Sequence, residues 1–250
     1  AGIKEQGPKG IYNCVSVQMN FDTYNRTNAA YIEQFEELLK TADQYGMTVV
    51  PMLLNDTYAK RNATALQNYV ANMIKTYNNA QRILAWEIYN RPGAASSLTS
   101  KLLDLLPKLF EAARSSSPNR PVFATPAVST NKFEEGFDYK KQLEHYAGGG
   151  GWDRLNFGSA GINLVYLTWQ LSDIASINSS QDSPELGWLN SRAYKFGRPV
   201  ICTRWETASS TTVDETLDIF SDHHQGWFVD GTIDDSKVKD FKYRTVITNH

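Results

Sequence analysis

The sequence predicts a single (β/α)8 barrel, and three observations support this fold class. Short apolar segments rich in Val, Ile and aromatic residues alternate with longer segments whose apolar residues recur at helical spacing. Strands that alternate with helices along a whole chain form parallel βαβ units. A chain of 250 residues is long enough for one such barrel. No internal repeat, low-complexity tract or linker divides it, so residues 1–250 are predicted to form one domain.

The first half of the chain shows the clearest alternation of strands and helices. Gly46 ends the first predicted helix, and Thr27 and Asn28 are predicted to cap its start. Strands are predicted at residues 13–19, 47–54, 83–89 and 121–127. Helices are predicted at residues 29–46, 63–77 and 98–115.

The second half is less regular. A helix is predicted at residues 133–146 and a glycine loop at 148–151. The next strand lies at either 155–162 or 162–167, and the sequence does not separate the two. A Ser/Asn/Asp-rich loop then leads to a helix that begins at Pro184. The remaining elements are predicted as a strand at 199–205, a helix at 213–220 and a strand at 226–229.

The segment Ile83-Leu-Ala-Trp-Glu-Ile-Tyr-Asn-Arg-Pro-Gly93 carries the first specific motif. Pro92 lacks a backbone donor and ends the strand, which delivers Asn90 and Arg91 at a strand's carboxyl end, where barrel enzymes build their sites. The segment resembles the fourth strand of retaining glycoside hydrolases of the cellulase and mannanase type (clan A, family 5-like), which reads Trp-Glu-Leu-x-Asn-Glu-Pro-Gly. The resemblance implies that Asn90 holds a sugar 2-hydroxyl. It places Arg91 where the family has its general acid/base.

A second segment, Gly197-Arg-Pro-Val-Ile-Cys-Thr-Arg-Trp-Glu-Thr207, resembles the seventh strand of the same family. That strand reads Gly-Lys-Pro-Val-x-x-Thr-Glu-Trp/Tyr, and its glutamate is the nucleophile. The matching residue here is Arg204. The two motifs follow one another in the family's order, so the resemblance implies the family's barrel with both catalytic glutamates replaced by arginine.

Other family positions also differ from the pattern. Ser16 stands where the second strand usually has an arginine, and Phe157-Gly158-Ser159-Ala160 lacks the histidine of the sixth strand. The aromatic platform after the eighth strand is retained as Trp227 in Gly226-Trp227-Phe228. A ligand-binding set is therefore predicted, made up of Tyr89, Asn90, Trp205 and Trp227.

Loss of both glutamates removes the chemistry of the family. Retaining glycosidases need two carboxyl groups about 5–5.5 Å apart, one to protonate the leaving oxygen and one to attack the anomeric carbon. Arginine stays protonated and has no free lone pair, so it performs neither step. Loss of a key catalytic residue costs on the order of 10⁴–10⁶ in turnover. No catalytic residue is expected, and the prediction is a pseudoenzyme with a carbohydrate-binding or structural, assembly role.

Neighbouring carboxylates leave three interpretations of the arginines open. Strand alternation predicts that Glu87 and Tyr89 share the face of Arg91, and that Glu206 shares the face of Arg204. The two acids could neutralise the arginines as structural ion pairs. They could instead be relocated catalytic acids of an active enzyme on a β-linked polysaccharide. Alternatively, the paired guanidinium groups could bind an anionic ligand such as a uronate or sulfated sugar.

The C-terminal segment at residues 241–250 resembles the family's first strand, which often reads Phe-x-x-Arg-Gly-x-Asn-x-His. A first barrel strand is not recognised at the N-terminus. We expect residues 241–248 to fill that position, in the same barrel or in a neighbouring copy, because an open barrel leaves exposed edges. The alternative is an ordinary tail.

Composition limits the partners. A net charge of −2 argues against nucleic-acid binding, and the apolar runs are too short to insert into a membrane. The histidines and acids have no metal-ligand spacing, and no cofactor is expected. Carbohydrate or other copies of the chain are the predicted partners. Cys14 and Cys202 are expected to be free, buried thiols. Secretion to the extracellular space is predicted, with weak support from sequons at Asn25, Asn55, Asn62 and Asn178.

Overall fold

The computed structural model describes residues 12–127, 160–179, 183–206 and 210–230. Within these ranges strands and helices alternate as βαβ units. The strands are β1 (Cys14–Gln18), β2 (Thr48–Met52), β3 (Trp86–Asn90), β4 (Val122–Thr125), β5 (Ala175–Ser179), β6 (Val200–Glu206) and β7 (Gly226–Asp230). The α-helices are α1 (Phe21–Arg26), α2 (Asn28–Gln44), α3 (Ala63–Tyr77), α4 (Thr99–Arg114), α5 (Ala160–Leu171), α6 (Ser183–Ala193) and α7 (Ser210–Asp222).

All described strand pairs are parallel and follow chain order. One sheet has the order β1-β2-β3-β4, and the other has the order β5-β6-β7. Parallel neighbours joined through helices are the building pattern of a (β/α)8 barrel. The carboxyl ends of the described strands therefore lie at the same rim of the barrel. The two sequence motifs lie on β3 and β6 and reach this rim.

The elements predicted in the first half are confirmed. Helix α3 spans Ala63–Tyr77, with both ends where the apolar periodicity placed them. Its N-cap is Asn62, whose Oδ1 accepts the Ala65 N–H at 3.0 Å. Thr27 does stand at the N-cap of α2, but its side chain makes no cap bond. Its hydroxyl donates to the Thr23 carbonyl of the preceding turn instead, because helix α1 ends directly before it.

The strand predicted at 155–162 or 162–167 is wrong where the structure describes it. Ala160–Leu171 is helix α5, and the strand lies later, at Ala175–Ser179. A buried apolar run has no clear periodicity, so strand and helix look alike in sequence. The predicted helix at 133–146, the glycine loop at 148–151 and the segment at 241–248 lie outside the described residues.

Apolar side chains form two layers around the strands. An outer layer in the first half packs β3 and β4 against the helices and includes Trp86, Leu102 and Phe110. A second outer cluster packs β5 and β6 against α6 and α7. A smaller cluster lies on the opposite face of the strands and fills the barrel interior, with Val50, Ala85, Phe123, Ile174 and Ile201 at its centre.

Side chains join the two sheets between β4 and β5. Ser172 Oγ accepts the Ala124 N–H at 3.0 Å, and Ser176 Oγ donates to the Ala124 carbonyl at 2.9 Å. Asp173 accepts the Val122 N–H at 2.9 Å through its carboxylate, and its own N–H donates to the Val122 carbonyl. We call these contacts the seam. Within the described ranges, the seam replaces strand pairing at this position.

Both cysteines are free thiols, as predicted. Cys202 is fully buried, whereas Cys14 is half-buried beside the interior cluster. Burial raises the pKa of the Cys14 thiol to about 11, so it stays protonated at neutral pH. In the part of the chain that the structure describes, no helix is both long enough and apolar enough to cross a membrane.

Candidate functional site

The carboxyl end of β3 is shaped by a bulge. The register with β4 shifts between Glu87 and Tyr89, so Ile88 and Tyr89 both pack in the outer layer. Glu87 lies on the same side as Asn90, whose Nδ2 donates to Glu87 Oε1 at 2.8 Å. The prediction that Glu87 and Tyr89 share one face is therefore wrong, because one extra residue reverses the alternation between them.

Arg91 follows the bulge in a left-handed backbone conformation, with φ of 54°. A residue other than glycine adopts this conformation only where its surroundings hold it. The Arg91 N–H donates to the Thr125 carbonyl at 2.8 Å, which fixes the turn onto the end of β4. The side chain is half-buried, and its Nε is buried without a hydrogen-bond partner.

Asp56, after β2, holds the loop that follows Arg91. Its carboxylate accepts the Tyr89 hydroxyl at 3.2 Å, the Gly93 N–H at 3.3 Å and the Ala95 N–H at 2.9 Å. Gly93 has φ of 85°, and a Cβ there would lie 2.6 Å from Leu164 Cδ2, so the loop needs glycine. Sequence reasoning did not select Asp56. Its signal is an Asn-Asp-Thr turn directly after a buried strand.

A chain of polar side chains crosses the barrel interior from β3 to β5. It consists of Asn90, Glu87, Thr125, Thr203 and Asn178, and we call it the interior polar chain. Thr125 contacts the Glu87 carboxyl, and Thr203 Oγ1 lies 3.0 Å from Thr125 Oγ1 and 3.2 Å from Asn178 Oδ1. Asn178 Nδ2 is buried and has no partner among the described residues. The interior polar chain therefore has one donor without a partner in the described structure, Asn178 Nδ2, near the carboxyl end of β5.

Glu87 is fully buried within this chain. Burial raises the pKa of its carboxyl to about 7, and the hydrogen bonds from Thr125 and Asn90 partly oppose the rise. Its second oxygen, Oε2, has no hydrogen-bond partner in the described structure. The sequence left three roles open for Glu87, and one of them was an ion pair with Arg91. The structure does not show that ion pair. Glu87 instead contacts the neutral side chains of Asn90 and Thr125.

The sixth-strand position expected at residues 157–160 also changes. Ala160 begins helix α5, and residues 157–159 lie outside the described part of the chain. The strand after β4 is β5, and the interior polar residue near its carboxyl end is Asn178. Ser16 lies on β1, as predicted, and its hydroxyl is 3.5 Å from the Val50 carbonyl of β2.

The end of β6 carries Arg204 and Glu206. Arg204 is half-buried and lies in register with Asn178 of β5. Glu206 is the last residue of the strand. The register between β6 and β7 shifts between Cys202 and Trp205, as it does near Glu87 on β3. The relation of Glu206 to the face of Arg204 stays a prediction.

The predicted aromatic ligands lie in packed positions. Trp205 is 2% exposed and makes edge contacts with Phe220 at 5.4 Å and with Trp227 at 5.6 Å. Trp227 is half-buried and stacks on Phe220 at 6.0 Å. Tyr89 is fully buried and donates to Asp56. Trp205 and Tyr89 therefore have no exposed ring face for a sugar, so Asn90 and Trp227 are the more accessible members of the predicted set.

Within the described ranges, no group of three His, Cys, Asp or Glu side chains could hold a metal ion. The four sequons differ in setting. Asn25 is exposed, and Asn55 and Asn62 cap the turns that follow them. Asn178 is 9% exposed and belongs to the interior polar chain.

Comparison with known proteins finds similarity in structure only. No family model matches the chain, and no curated protein matches its sequence. Among solved structures, the catalytic domain of Thermobifida fusca endoglucanase Cel5A matches with a TM-score of 0.59 at 14% identity, over 93% of this chain and 73% of that one. The chain has the fold of an endoglucanase barrel.

Two further structures agree. A triple mutant of the endo-beta-1,4-glucanase from Xanthomonas axonopodis pv. citri gives a TM-score of 0.63 at 12% identity, over 92% of this chain and 79% of that one. Endoglucanase Cel5A from Pseudomonas stutzeri gives 0.60 at 12% identity, over 91% and 74%. The predicted (β/α)8 class is confirmed, and Arg91 follows the last residue of β3 at the rim where such barrels act.

Proposed function

We propose that this endoglucanase-like barrel binds a β-linked oligosaccharide without hydrolysing it. One observation carries the proposal. At the end of β3 the acid of the strand, Glu87, is fully buried and bonded to Asn90, whereas the turn beyond it carries Arg91. A general acid must lie within hydrogen-bond reach of the glycosidic oxygen. Glu87 is enclosed within the barrel, and a guanidinium group such as that of Arg91 does not release its proton, so neither group serves as the general acid.

Glycan binding fits what the rim retains. Asn90 is half-buried at the strand end, with its amide oriented by Glu87. Two of the structurally similar proteins hold cello-oligosaccharides, cellotetraose in the Thermobifida fusca endoglucanase and cellopentaose in XacCel5A. Carbohydrate is therefore the partner we propose for this chain. We also propose an extracellular location, where polysaccharides of this type occur.

The competing function is an active glycoside hydrolase with a relocated acid. Glu206 is the specific candidate, because it ends β6 two residues beyond Arg204. Hydrolysis would then need a second carboxyl group about 5–5.5 Å away for a retaining mechanism, or about 6.5–9.5 Å away for an inverting one.

Prolonged incubation with cello-, manno- and xylotetraose, followed by mass spectrometry of the products, separates the two functions. We expect no shortened oligosaccharides from the wild-type chain. Turnover that disappears in Glu206→Gln and persists in Glu37→Gln would disprove the pseudoenzyme. Glu37 is a matched control because it lies on the exposed face of helix α2 and pairs with Lys40.

Calorimetric titration with the same oligosaccharides tests binding. We expect measurable binding to at least one of them, and at least tenfold weaker binding by Asn90→Ala, because a lost hydrogen bond at a polar site costs about 1.5 kcal/mol. Asn79→Ala is the matched control. Asn79 precedes β3 at the opposite end of the barrel and accepts a bond from Asn119 at 3.2 Å.

A further inference from the structure

The Arg91 side chain carries a buried donor atom, its Nε, that meets no acceptor among the described residues. No described carboxylate forms an ion pair with this side chain. A buried donor that lacks an acceptor costs free energy, and the cost is larger for a charged group. A buried polar group without a partner therefore calls for an explanation, and a bound ion or ligand is one of them.

Several other arginines of the described residues have acceptors, whereas Arg120 Nε, like Arg91 Nε, is buried without a hydrogen-bond partner. Arg61 pairs with Asp22 at 2.9 Å, and Arg82 pairs with Asp43 at 2.6 Å. Arg114 bonds both the Asp173 carboxylate and the Leu171 carbonyl. Arg91 differs from Arg120 in its position, because Arg91 directly follows the carboxyl end of β3 whereas Arg120 precedes β4.

The acid nearest to Arg91 in the chain is turned away from it. The bulge on β3 directs Glu87 toward Asn90 and Thr125, so the obvious counter-ion is occupied elsewhere. Without that bulge, strand alternation would have placed Glu87 and Arg91 on one face. The local backbone therefore keeps the positive charge available.

The backbone that carries Arg91 is fixed before any ligand arrives. Its N–H is bonded to Thr125, and the following loop is bonded twice to Asp56. A fixed backbone lowers the entropy cost of ordering a binding side chain. A second donor without a partner in the described structure, Asn178 Nδ2, is buried near the carboxyl end of β5.

We infer that Arg91 binds the carboxylate of an acidic oligosaccharide, a β-linked chain that contains uronate units. This inference rests on the proposed glycan-binding function and names its substrate class. A guanidinium group donates through Nε and one Nη in parallel, which matches the two oxygens of a carboxylate. A neutral sugar hydroxyl fills one of these positions and leaves the charge unpaired.

The test uses a matched pair of ligands that differ only in the group at C6, which is a primary alcohol in one and a charged carboxylate in the other. One is cellotetraose, and the other is cellotetraose whose primary alcohols have been oxidised to carboxylates. Titration calorimetry with the full chain at low and high salt gives the affinity for each. We expect the oxidised ligand to bind about ten- to a hundredfold more tightly at low salt, because a charge-assisted hydrogen bond contributes at this level. Salt should reduce the difference.

Variants of Arg91 then locate the preference. Arg91→Asn removes the charge and tolerates the left-handed backbone, so it keeps the fold. It should abolish the preference for the oxidised ligand, so that the two ligands bind with equal affinity. Arg91→Lys keeps the charge without the fork and should retain only part of the preference. Arg82→Asn, at the opposite barrel end, is the matched control and should behave as the wild type.

Each contrary result has a separate meaning. Equal affinity of the wild type for the two ligands, or a preference that survives Arg91→Asn, would overturn the acidic-substrate inference while glycan binding stands. Binding of free sulfate or acetate as tightly as the oxidised oligosaccharide would also overturn it, since the site would then select a bare anion. Hydrolysis of either ligand, or no binding of any oligosaccharide, would overturn the proposed function itself.

Discussion

The two halves of the barrel hold their strands together by different means. In the first half, β1 to β4 are joined by parallel pairing and covered by one large outer layer. In the second half, three strands share a smaller outer cluster. Between the halves, the hydroxyls of Ser172 and Ser176 and the Asp173 carboxylate bond to β4. The interior polar chain continues along this same boundary through Thr125 and Thr203. The comparison shows that polar groups concentrate where strand pairing stops.

Paired core truncations would test the comparison most strongly. Phe110→Ala in the first half and Phe220→Ala in the second remove rings of the same size that are both almost fully buried. Each should lower the free energy of unfolding by about 3–5 kcal/mol. Hydrogen exchange should show that Phe220→Ala raises exchange chiefly in β5 to β7, because a side-chain seam couples the halves less firmly than a strand ladder. An equal loss of amide protection in both halves would show that the two halves unfold as one cooperative unit despite the seam.

The pH dependence of stability follows from Glu87. Its folded pKa of about 7 lies above the ordinary value of 4.5, so the folded state binds the proton more tightly than the unfolded state. Stability from this group is complete below about pH 4.5 and is lost as the pH rises through 7, by about 3 kcal/mol in total. Glu87→Gln should therefore be more stable than the wild type at pH 8 and similar to it at pH 5. Urea unfolding at both pH values measures this, and a constant difference across pH would contradict the assignment.

The seam itself can be weakened at one atom. Ser172→Ala leaves the Ala124 N–H without its acceptor in a buried position, which should cost about 1–3 kcal/mol in chemical unfolding. Ser116→Ala is the control, because the Ser116 hydroxyl bonds mainly to the Ala112 carbonyl of the preceding helix α4. The control should cost less than about 1 kcal/mol. Equal effects would mean that the seam adds no stability beyond an ordinary side-chain bond.

Exposed ion pairs should give the smallest difference. Arg114 pairs with Asp173 at the seam and also bonds the Leu171 carbonyl, whereas Arg82 pairs only with Asp43 inside the first half. Both pairs are partly exposed, so each replacement by alanine should cost no more than about 1 kcal/mol. Arg114→Ala should lower the melting temperature slightly more than Arg82→Ala. A larger effect of Arg82→Ala would argue against a special role for the seam.

Sequence patterns were sufficient for the fold class and for most elements of the first half. Apolar periodicity and a capping asparagine define helix α3 at both ends. Strand β5 was missed because Ala-Ser-Ile-Asn-Ser has little apolar character, and two of its polar side chains form hydrogen bonds with distant partners, Ala124 and Thr203. Tertiary hydrogen bonds of this kind leave no trace in a local pattern.

The site was predicted only in part because bulges are tertiary features. Arg91 directly follows β3, and Arg204 lies in β6 two residues before its last residue, whereas their roles stay predictions. The expected alternation of side chains between the two faces of a strand does not hold in β3 or β6, because each strand has a register shift. In β3, Glu87 lies on the side of Asn90. In β6, Trp205 packs in the outer cluster together with Cys202. Asp56 was missed because its role depends on a loop 37 residues away in the chain.

The burial of Asn178 has a consequence for biosynthesis. Its amide oxygen accepts from Thr203 inside the barrel, and the sequon Asn178-Ser179-Ser180 is readable only before β5 is in place. An N-glycan attached there would keep the strand from docking. Glycan occupancy at this asparagine would therefore mark molecules in which β5 is not docked.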